Sequence, residues 1–355
     1  MFGGGEPLCN REGSYVKFHP SDNGSGLNPI VKTCNPATFV PRKSPYGGVC
    51  LNWGCEDDWD RGIEFMMRRM TLNCYIGSEE GSPEKQFASV LRKKKERQLQ
   101  VDLQDVQDRR LFSRDLTLRI ELCYMGGNDR EPGFHACEPS VFRTVSVSGG
   151  MTLRMFHDRV LGPAMGWVRN YHGYMYVVPS DGSVFLCQKS KAIDMMHLSM
   201  HAWDSIDDSS VKLAQLLSNS GMYILYDYDL GDHFWHKITV VGVKEVNEST
   251  GAVQVLDGAM ACPPEDTDGY KTSGAGSYAY QKHVLNSRWP LPASQQKEMC
   301  RAKNAQHSNK FDPEEFDLSQ AQARVKDAIA GKASVQGGEL KFMTTFDDML
   351  GGGRG

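Results

Sequence analysis

The clearest periodic pattern in the chain is an alternation of apolar and polar residues over 116–124. Apolar side chains occupy every second position there, namely Leu116, Leu118, Ile120, Leu122 and Tyr124. A period of two predicts a β-strand with one buried face. The alternation returns over 141–147, after a loop rich in Gly and Pro, and predicts a second strand.

Helical spacing follows these strands. Thr152 precedes apolar residues at Leu153, Phe156 and Val160, which predicts a helix capped by the Thr152 hydroxyl and ended near Gly166. Further strands are expected at 171–178, 184–187, 222–229, 235–243 and 252–256, short helices at 211–217 and 318–329, and a hairpin across Gly231. Strands and helices are interspersed, which predicts an α+β fold with a mixed or antiparallel sheet and packed helices.

The pattern divides the chain into four parts. Residues 1–80, which contain many Gly, Pro and Cys residues, are expected to form an irregular N-terminal arm. Residues 81–113 are expected to form a basic helix that leads into one main domain at 114–330, and 331–355 a flexible Gly-rich tail. Within the main domain, the polar stretch after Pro264 is expected to be loop, and Asp312 to begin a helix.

Composition narrows the class of protein. The 355 residues are 40% hydrophobic and 24% charged, which is ordinary globular usage and rules out a wholly disordered or collagen-like chain. The net charge of −4 argues against a surface coated with positive charge for nucleic acid. One local basic run remains, and its members are Arg92, Lys93, Lys94, Lys95 and Arg97. It is interpreted as a solvated helix face, with a nucleic-acid patch or nuclear import signal as alternatives.

The chain has no run approaching the ~20 apolar residues that span a bilayer, and its start does not resemble a secretory signal. A cytoplasmic or nuclear protein with reduced cysteines is therefore expected.

Cys50 and Cys55 could form half of a zinc site, although no second close pair follows. His197 and His201 have the spacing of a metal-binding pair if they lie on a helix. Free thiols and simple packing are the alternatives. The amphipathic stretch 342–350 could dock on the domain or on a partner protein.

Acidic residues and histidines concentrate between 227 and 268. Asp227 and Asp229 are two apart on a predicted strand, Asp232, His233 and His236 follow, and Glu265-Asp266 comes after a Pro-Pro pair. Converging carboxylates and imidazoles could bind a divalent metal ion, such as Mg²⁺, Mn²⁺, Fe²⁺ or Zn²⁺, or act as a general acid/base pair. The same residues could equally serve as turn and loop caps. Phosphate-binding, serine-hydrolase and zinc-protease motifs are absent.

Several separated segments resemble one family. Tyr226-Asp-Tyr-Asp-Leu-Gly-Asp-His-Phe-Trp-His236 resembles the Y-D-F-G-D-x-W-x-H signature of the pRi-plasmid ORF-three-like domains, also labelled transposon passenger TnpR-like. Gly258-Ala-Met-Ala-Cys-Pro-Pro-Glu-Asp266 and Lys310-Phe-Asp-Pro-Glu-Glu-Phe-Asp317 resemble two further elements of that family. The resemblance covers residues 114–330 and includes the elements around Val141–Val147, Thr152-Leu153, Gly166-Trp167 and His172.

The resemblance implies a compact α+β domain without a settled activity. It implies that most members of the acidic and histidine group lie near one another; the candidate cleft comprises His172, Asp227, Asp229, Asp232, His236, Glu265 and Asp266. Four of these are candidate metal ligands, namely Asp229, Asp232, His236 and Glu265. The chain departs from the family by Gly173 after His172, by Thr267-Asp268-Gly269, and by insertions at 126–137, 179–210 and 270–278.

Three functions follow as hypotheses. The preferred one is a binding or interaction module with an acidic/His cleft. The alternatives are a divalent-metal-dependent hydrolase of the phosphoesterase kind and a nucleic-acid accessory protein linked to mobile elements. Whether the protein is an enzyme is left open by the sequence.

Overall fold

The structure is a computed structural model. It describes residues 8–10, 15–16, 39–40, 92–93, 95–101, 110–126, 133–169, 171–178, 183–188, 193, 205–266, 276–287, 292–294, 299 and 311–331. Among these residues, nine strands form one large sheet, and three short ones, β1 (Leu8–Asn10), β2 (Tyr15–Val16) and β3 (Phe39–Val40), pair with one another.

The large sheet contains the seven predicted strands and two that the pattern did not predict, at 133–136 and 205–207. They are β4 (Asp115–Gly126), β5 (Gly133–Ala136), β6 (Phe142–Ser148), β7 (Tyr174–Val178), β8 (Ser183–Leu186), β9 (Ser205–Asp207), β10 (Tyr223–Tyr228), β11 (Phe234–Val243) and β12 (Gln254–Ala259). Their order is β12-β6-β4-β11-β10-β7-β8-β9, with β5 paired to β4. Only the pairing of β8 with β9 is parallel among these strands, so the expected α+β fold with a mixed sheet is confirmed.

A helical segment with an unusual middle covers one face of the central strands. It consists of α1 (Leu153–Phe156), a π-helical turn (His157–Leu161) and α2 (Gly162–Met165). Thr152 caps it as predicted, because its hydroxyl accepts a hydrogen bond from the Met155 amide at 3.2 Å. Gly166 ends it with a left-handed φ of 91°.

The other helices of the domain differ in part from expectation. They are α3 (Leu213–Leu216), a 3₁₀ turn (Val246–Glu248), α4 (Gly276–Tyr280) with a π-helical continuation (Gln281–Leu285), and α5 (Leu318–Ala330). The expectation of loop over 276–285 is wrong: Ala279, Tyr280 and Val284 are buried, and this burial stabilises a helix that the polar composition conceals.

The predicted helix start at Asp312 is also wrong. Its carboxylate accepts a hydrogen bond from the Glu314 amide at 3.0 Å and closes a turn. The helix begins at Leu318, where the Asp317 carboxylate accepts from the Gln320 amide at 2.9 Å.

Other predictions remain where the structure does not test them. Four members of the basic run, Arg92, Lys93, Lys95 and Arg97, lie in helical segments at 92–93 and 95–101, and Lys94 lies outside the described residues. Residues 342–350, Cys50, Cys55, His197 and His201 lie outside the described residues. Among the helices that are described, none has the length and apolar character needed to cross a membrane.

Candidate functional site

The hairpin of β10 and β11 sorts the predicted site residues between two faces of the sheet. Its register pairs Tyr226 with His236 and Asp227 with Trp235. Neighbouring residues of a strand point to opposite faces, so Asp227 and His236 cannot meet. The predicted cleft is therefore divided at the level of the strands.

His172 lies against two of the predicted carboxylates. Its Nε2 atom is 3.5 Å from Asp229 Oδ2 and 3.4 Å from Asp266 Oδ1. Asp229 is held at the end of β10, where its amide donates to Gly173 O at 2.9 Å. Asp266 is held by the Tyr171 hydroxyl, which donates to Oδ2 at 2.8 Å. Three separate loops thus bring one imidazole and two carboxylates together.

Glu265 is the buried fourth member of this group. It is fully buried, and its oxygens accept hydrogen bonds from the Tyr228 hydroxyl and from the Val168 amide, the latter at 2.9 Å. Burial raises the pKa of Glu265 to about 7, although both hydrogen bonds and His172 oppose the shift. The preceding loop is fixed because Trp167 Nε1 donates to Pro263 O at 3.0 Å. We call His172, Asp229, Glu265 and Asp266 the acidic cluster.

The acidic cluster also changes the titration of its histidine. Burial by itself would lower the pKa of His172, but the contact with Asp266 and the charges of Asp229 and Glu265 outweigh it and raise the pKa. The buried carboxyl group of Glu265 is therefore poised to exchange a proton near neutral pH, and the raised pKa of His172 favours its imidazolium form.

Asp227 contacts a histidine outside the predicted site. Its Oδ2 lies 2.7 Å from Nδ1 of His233, in the loop between β10 and β11. Burial raises the pKa of Asp227, while the His233 charge acts in the opposite direction. Asp232 is half-buried in the same loop, and its charge helps to raise the pKa of His233.

His236 is a core residue in this structure. It is fully buried, lies edge-on to Trp167 at 5.2 Å between ring centroids, and neither ring nitrogen has a hydrogen-bond partner among the described residues. Burial lowers its pKa to about 3. A neutral packed imidazole explains the residue without a ligand role.

The proposed metal ligands do not assemble. No group of three or more His, Cys, Asp or Glu residues in the described part of the chain is arranged to hold a metal ion. Asp229 instead directs Oδ1 to the amides of Gly231 and Asp232, at 3.1 and 3.2 Å. The expected set of Asp229, Asp232, His236 and Glu265 is therefore unsupported as a metal site.

At least one cation of the basic run is engaged in an ion pair. Arg92 forms an i,i+4 ion pair with Glu96 at 3.7 Å, whereas Lys93 and Arg97 are exposed. One ion pair does not test whether the other cations contact phosphate, and nucleic-acid binding stays a prediction.

Sequence reasoning gave no role to the aromatic residues that carry the site. Trp167 stacks on Tyr228 at 4.3 Å, and Tyr228 and Tyr171 both donate to site carboxylates. The sequence could have predicted that Asp227 and His236 lie on opposite faces of the sheet. A hairpin centred on Gly231 pairs residues that are equally distant from Gly231 along the chain, which puts Asp227 opposite Trp235 and Tyr226 opposite His236.

Comparisons with known proteins identify a family and leave the activity open. No curated protein matches the chain. A solved structure described as a protein of unknown function, MM3350 from Methanosarcina mazei Go1, matches with 18% identity and a TM-score of 0.38, over 58% of this chain and 96% of its own. The family described as Plasmid pRiA4b ORF-3-like protein matches residues 134–320. The TnpR-like label finds no support, but over more than half of its length the chain matches, and it belongs to, the plasmid pRiA4b ORF-3-like family.

Proposed function

We propose that the protein is a binding module whose acidic cluster accepts a positively charged group, an ammonium or a guanidinium, from a ligand or partner. The observation that carries the proposal is the position of Asp266. Its side chain is 40% exposed while Oδ1 lies 3.4 Å from the buried His172 and Oδ2 accepts from the Tyr171 hydroxyl, so a carboxylate that the protein holds in place borders the solvent.

The charge of the cluster supports a cationic ligand. Asp229, Glu265 and Asp266 contribute up to three negative charges, and His172 supplies one positive charge at most. A guanidinium group can donate two parallel hydrogen bonds to a carboxylate. A bound cation would also favour the ionised form of Glu265, so binding should release a proton from that residue.

The experiment is a titration of the full chain with L-argininamide, followed by the NMR signals of the histidine rings. We expect saturable shifts of His172, and we expect Asp266→Asn and Asp229→Asn to weaken binding several-fold. Asn retains the size of Asp and its tolerance of left-handed backbone, so these variants remove charge with little change of shape. Glu245→Gln is the matched control, because Glu245 is an exposed carboxylate outside the cluster.

Two results would overturn the proposal. One is the absence of a saturable response, or equal binding by Asp266→Asn. The other is a saturable response of the same signals to Mg²⁺, Mn²⁺ or Zn²⁺ that excludes L-argininamide, which would favour the metal-dependent alternative.

A further inference from the structure

Buried aromatic rings on one side of the central strands contact one another in series. Tyr226 and Tyr228 of β10 are nearly parallel with ring centroids 6.4 Å apart, and Tyr228 stacks on Trp167 at 4.3 Å. Tyr174 of β7 extends the series at 5.8 Å from Tyr226. All four side chains are buried. We call Trp167, Tyr228, Tyr226 and Tyr174 the aromatic chain.

The tyrosines of the aromatic chain share a second property, which is that each hydroxyl meets a side chain able to take its proton. These partners are His157 for Tyr226, Glu265 for Tyr228 and Asp208 for Tyr174. A buried tyrosine hydroxyl normally finds some hydrogen-bond partner, but packing does not require that partner to be a base. The neighbouring Tyr176 shows the difference, because its hydroxyl donates to the Leu153 carbonyl oxygen at 3.0 Å.

Tyr226 and His157 have the geometry of a proton-transfer pair. The Tyr226 hydroxyl lies 2.7 Å from His157 Nδ1, and both side chains are buried. This separation is within the reach of direct proton transfer. Burial raises the pKa of Tyr226 well above its ordinary value of 10. The side chain is therefore a phenol at neutral pH, with a proton that an imidazole nitrogen can accept.

The π-helical turn positions this imidazole. His157 is the first residue of the turn, and its ring stacks on that of Tyr174 with centroids 3.6 Å apart and 19° between the planes. Single π-helical turns within α-helices often occur at functional sites. The imidazole is thus held between the ring of Tyr174 and the hydroxyl of Tyr226.

The Tyr228 end of the aromatic chain approaches the surface through two further rings. Tyr228 meets the His172 ring at 5.8 Å, and His172 meets the Tyr171 ring at 4.1 Å. The Tyr171 hydroxyl donates to Asp266, whose side chain is 40% exposed. Since electrons pass readily between aromatic rings at such separations, an oxidant in solution does not have to reach Tyr226.

We propose that the aromatic chain is a one-electron donor to small radical oxidants in solution, and that it leaves a neutral tyrosyl radical on Tyr226 with the proton on His157. The oxidant takes one electron and becomes an anion. The electron is replaced through Trp167 and Tyr228 from Tyr226. A phenol that loses an electron becomes a strong acid, so its proton moves to His157 Nδ1 in the same step. Ascorbate can then return one electron to Tyr226 while His157 returns the proton. The relay does not require a cation in the acidic cluster.

The test oxidises the full chain with azide radical from pulse radiolysis and follows tyrosyl radicals by their absorption and by EPR of frozen samples. We expect the wild type to form a long-lived tyrosyl radical that ascorbate removes. Tyr226→Phe should lose it, because phenylalanine has no phenol. His157→Gln should also lose it, since a carboxamide accepts a hydrogen bond but does not take up the proton. Tyr176→Phe is the matched control and should retain the radical, because it removes a neighbouring phenol that faces only a carbonyl oxygen.

A second measurement tests the role of His157 in the wild type itself. The EPR g-tensor should show a hydrogen bond to the radical oxygen, as expected when the imidazolium remains beside it, and the radical should form more slowly in D₂O because a proton moves with the electron. Thermal melting establishes whether each variant is folded, and the wild-type measurements decide where one is not. The proposal is overturned by a wild type without a long-lived tyrosyl radical, by a radical that survives Tyr226→Phe or His157→Gln, by equal loss in Tyr176→Phe, or by a radical without that hydrogen bond.

Discussion

His172 and His236 are both buried imidazoles that contact the same stack of aromatic rings, yet they lie in opposite electrostatic environments. Trp167 is stacked on Tyr228 and edge-on to His236, and Tyr228 in turn meets the His172 ring at 5.8 Å. The His172 end of the stack carries carboxylates, so the pKa of this histidine is raised. At the His236 end burial dominates and, together with the charge of Arg143, lowers the pKa of His236 to about 3.

The comparison teaches that burial alone does not make a histidine functional. At His236, burial removes the charge and leaves a packing residue. At His172, the carboxylates offset the loss of solvation, so the charged form persists in the same layer of rings. The difference arises from the two loops that supply Asp229 and Asp266, since the aromatic stack is shared.

The largest expected effect comes from removing Trp167, the ring that connects the His172 end and the His236 end of the aromatic stack. Trp167→Ala removes a ring that is 4% exposed and contacts both environments, and it deletes the hydrogen bond to Pro263 O. We expect the free energy of unfolding to fall by about 3–5 kcal/mol, the range for loss of a buried aromatic side chain. Urea denaturation at pH 7 measures the change.

Trp167→Phe is the matched control for that experiment. It retains a six-membered aromatic ring and removes the five-membered ring of the indole together with its N–H, so its loss of stability should be clearly smaller. Equal losses in the two variants would mean that the five-membered ring and its hydrogen bond to Pro263 O account for the stabilisation by Trp167.

Part of this arrangement could be predicted from the sequence. The alternation over 116–124 predicted β4, and Thr152 predicted the helix cap. The π-helical turn at His157–Leu161 has no period that a 3.6-residue pattern can detect, although it directs His157 Nδ1 to within 2.7 Å of the Tyr226 hydroxyl.

For the site, the sequence predicted which residues to consider but not which of them lie close together. The acidic motif and His172 indicated which residues to examine, but proximity depends on loops whose left-handed residues, Asp229, His233 and Asp266, are not glycine. Local propensity does not predict such backbone, because contacts elsewhere in the fold stabilise it. The same limit explains why His236 was grouped with carboxylates that it does not join.

The second prediction concerns the carboxylate end of the stack. Glu265 has a pKa near 7 in the fold and an ordinary value of 4.5, so the folded state binds more protons between these pH values. The contribution of Glu265 to the stability of the wild type should therefore fall as the pH rises through this window. Glu265→Gln lacks the ionisation, and its stability relative to the wild type should improve by about 3 kcal/mol between pH 4.5 and 8.

Denaturation curves at several pH values test this prediction, with Glu245→Gln as the control for loss of an exposed carboxylate. The difference in stability between the control and the wild type should change less with pH than the difference for Glu265→Gln. A Glu265→Gln curve that runs parallel to that of the wild type would show that Glu265 is already ionised at pH 5 and that its burial is compensated by its hydrogen bonds.

The third prediction has the smallest expected effect and concerns the His236 end of the stack. The sign of its pH dependence is opposite to that of Glu265. The pKa of His236 is about 3 in the fold and 6.5 as its ordinary value, so the unfolded chain binds the proton that the folded chain excludes. Stability that is complete above pH 6.5 should fall as the pH decreases, by roughly 2.5 kcal/mol between pH 7 and 4.5 from this residue alone. His236→Leu should lack this acid-dependent loss of stability. His172→Gln should retain it, because His172 is stabilised in its charged form in the wild type and does not cause the loss. If the acid limb of His236→Leu matches that of the wild type, the imidazole is protonated inside the fold, and the contrast between the two ends of the stack fails.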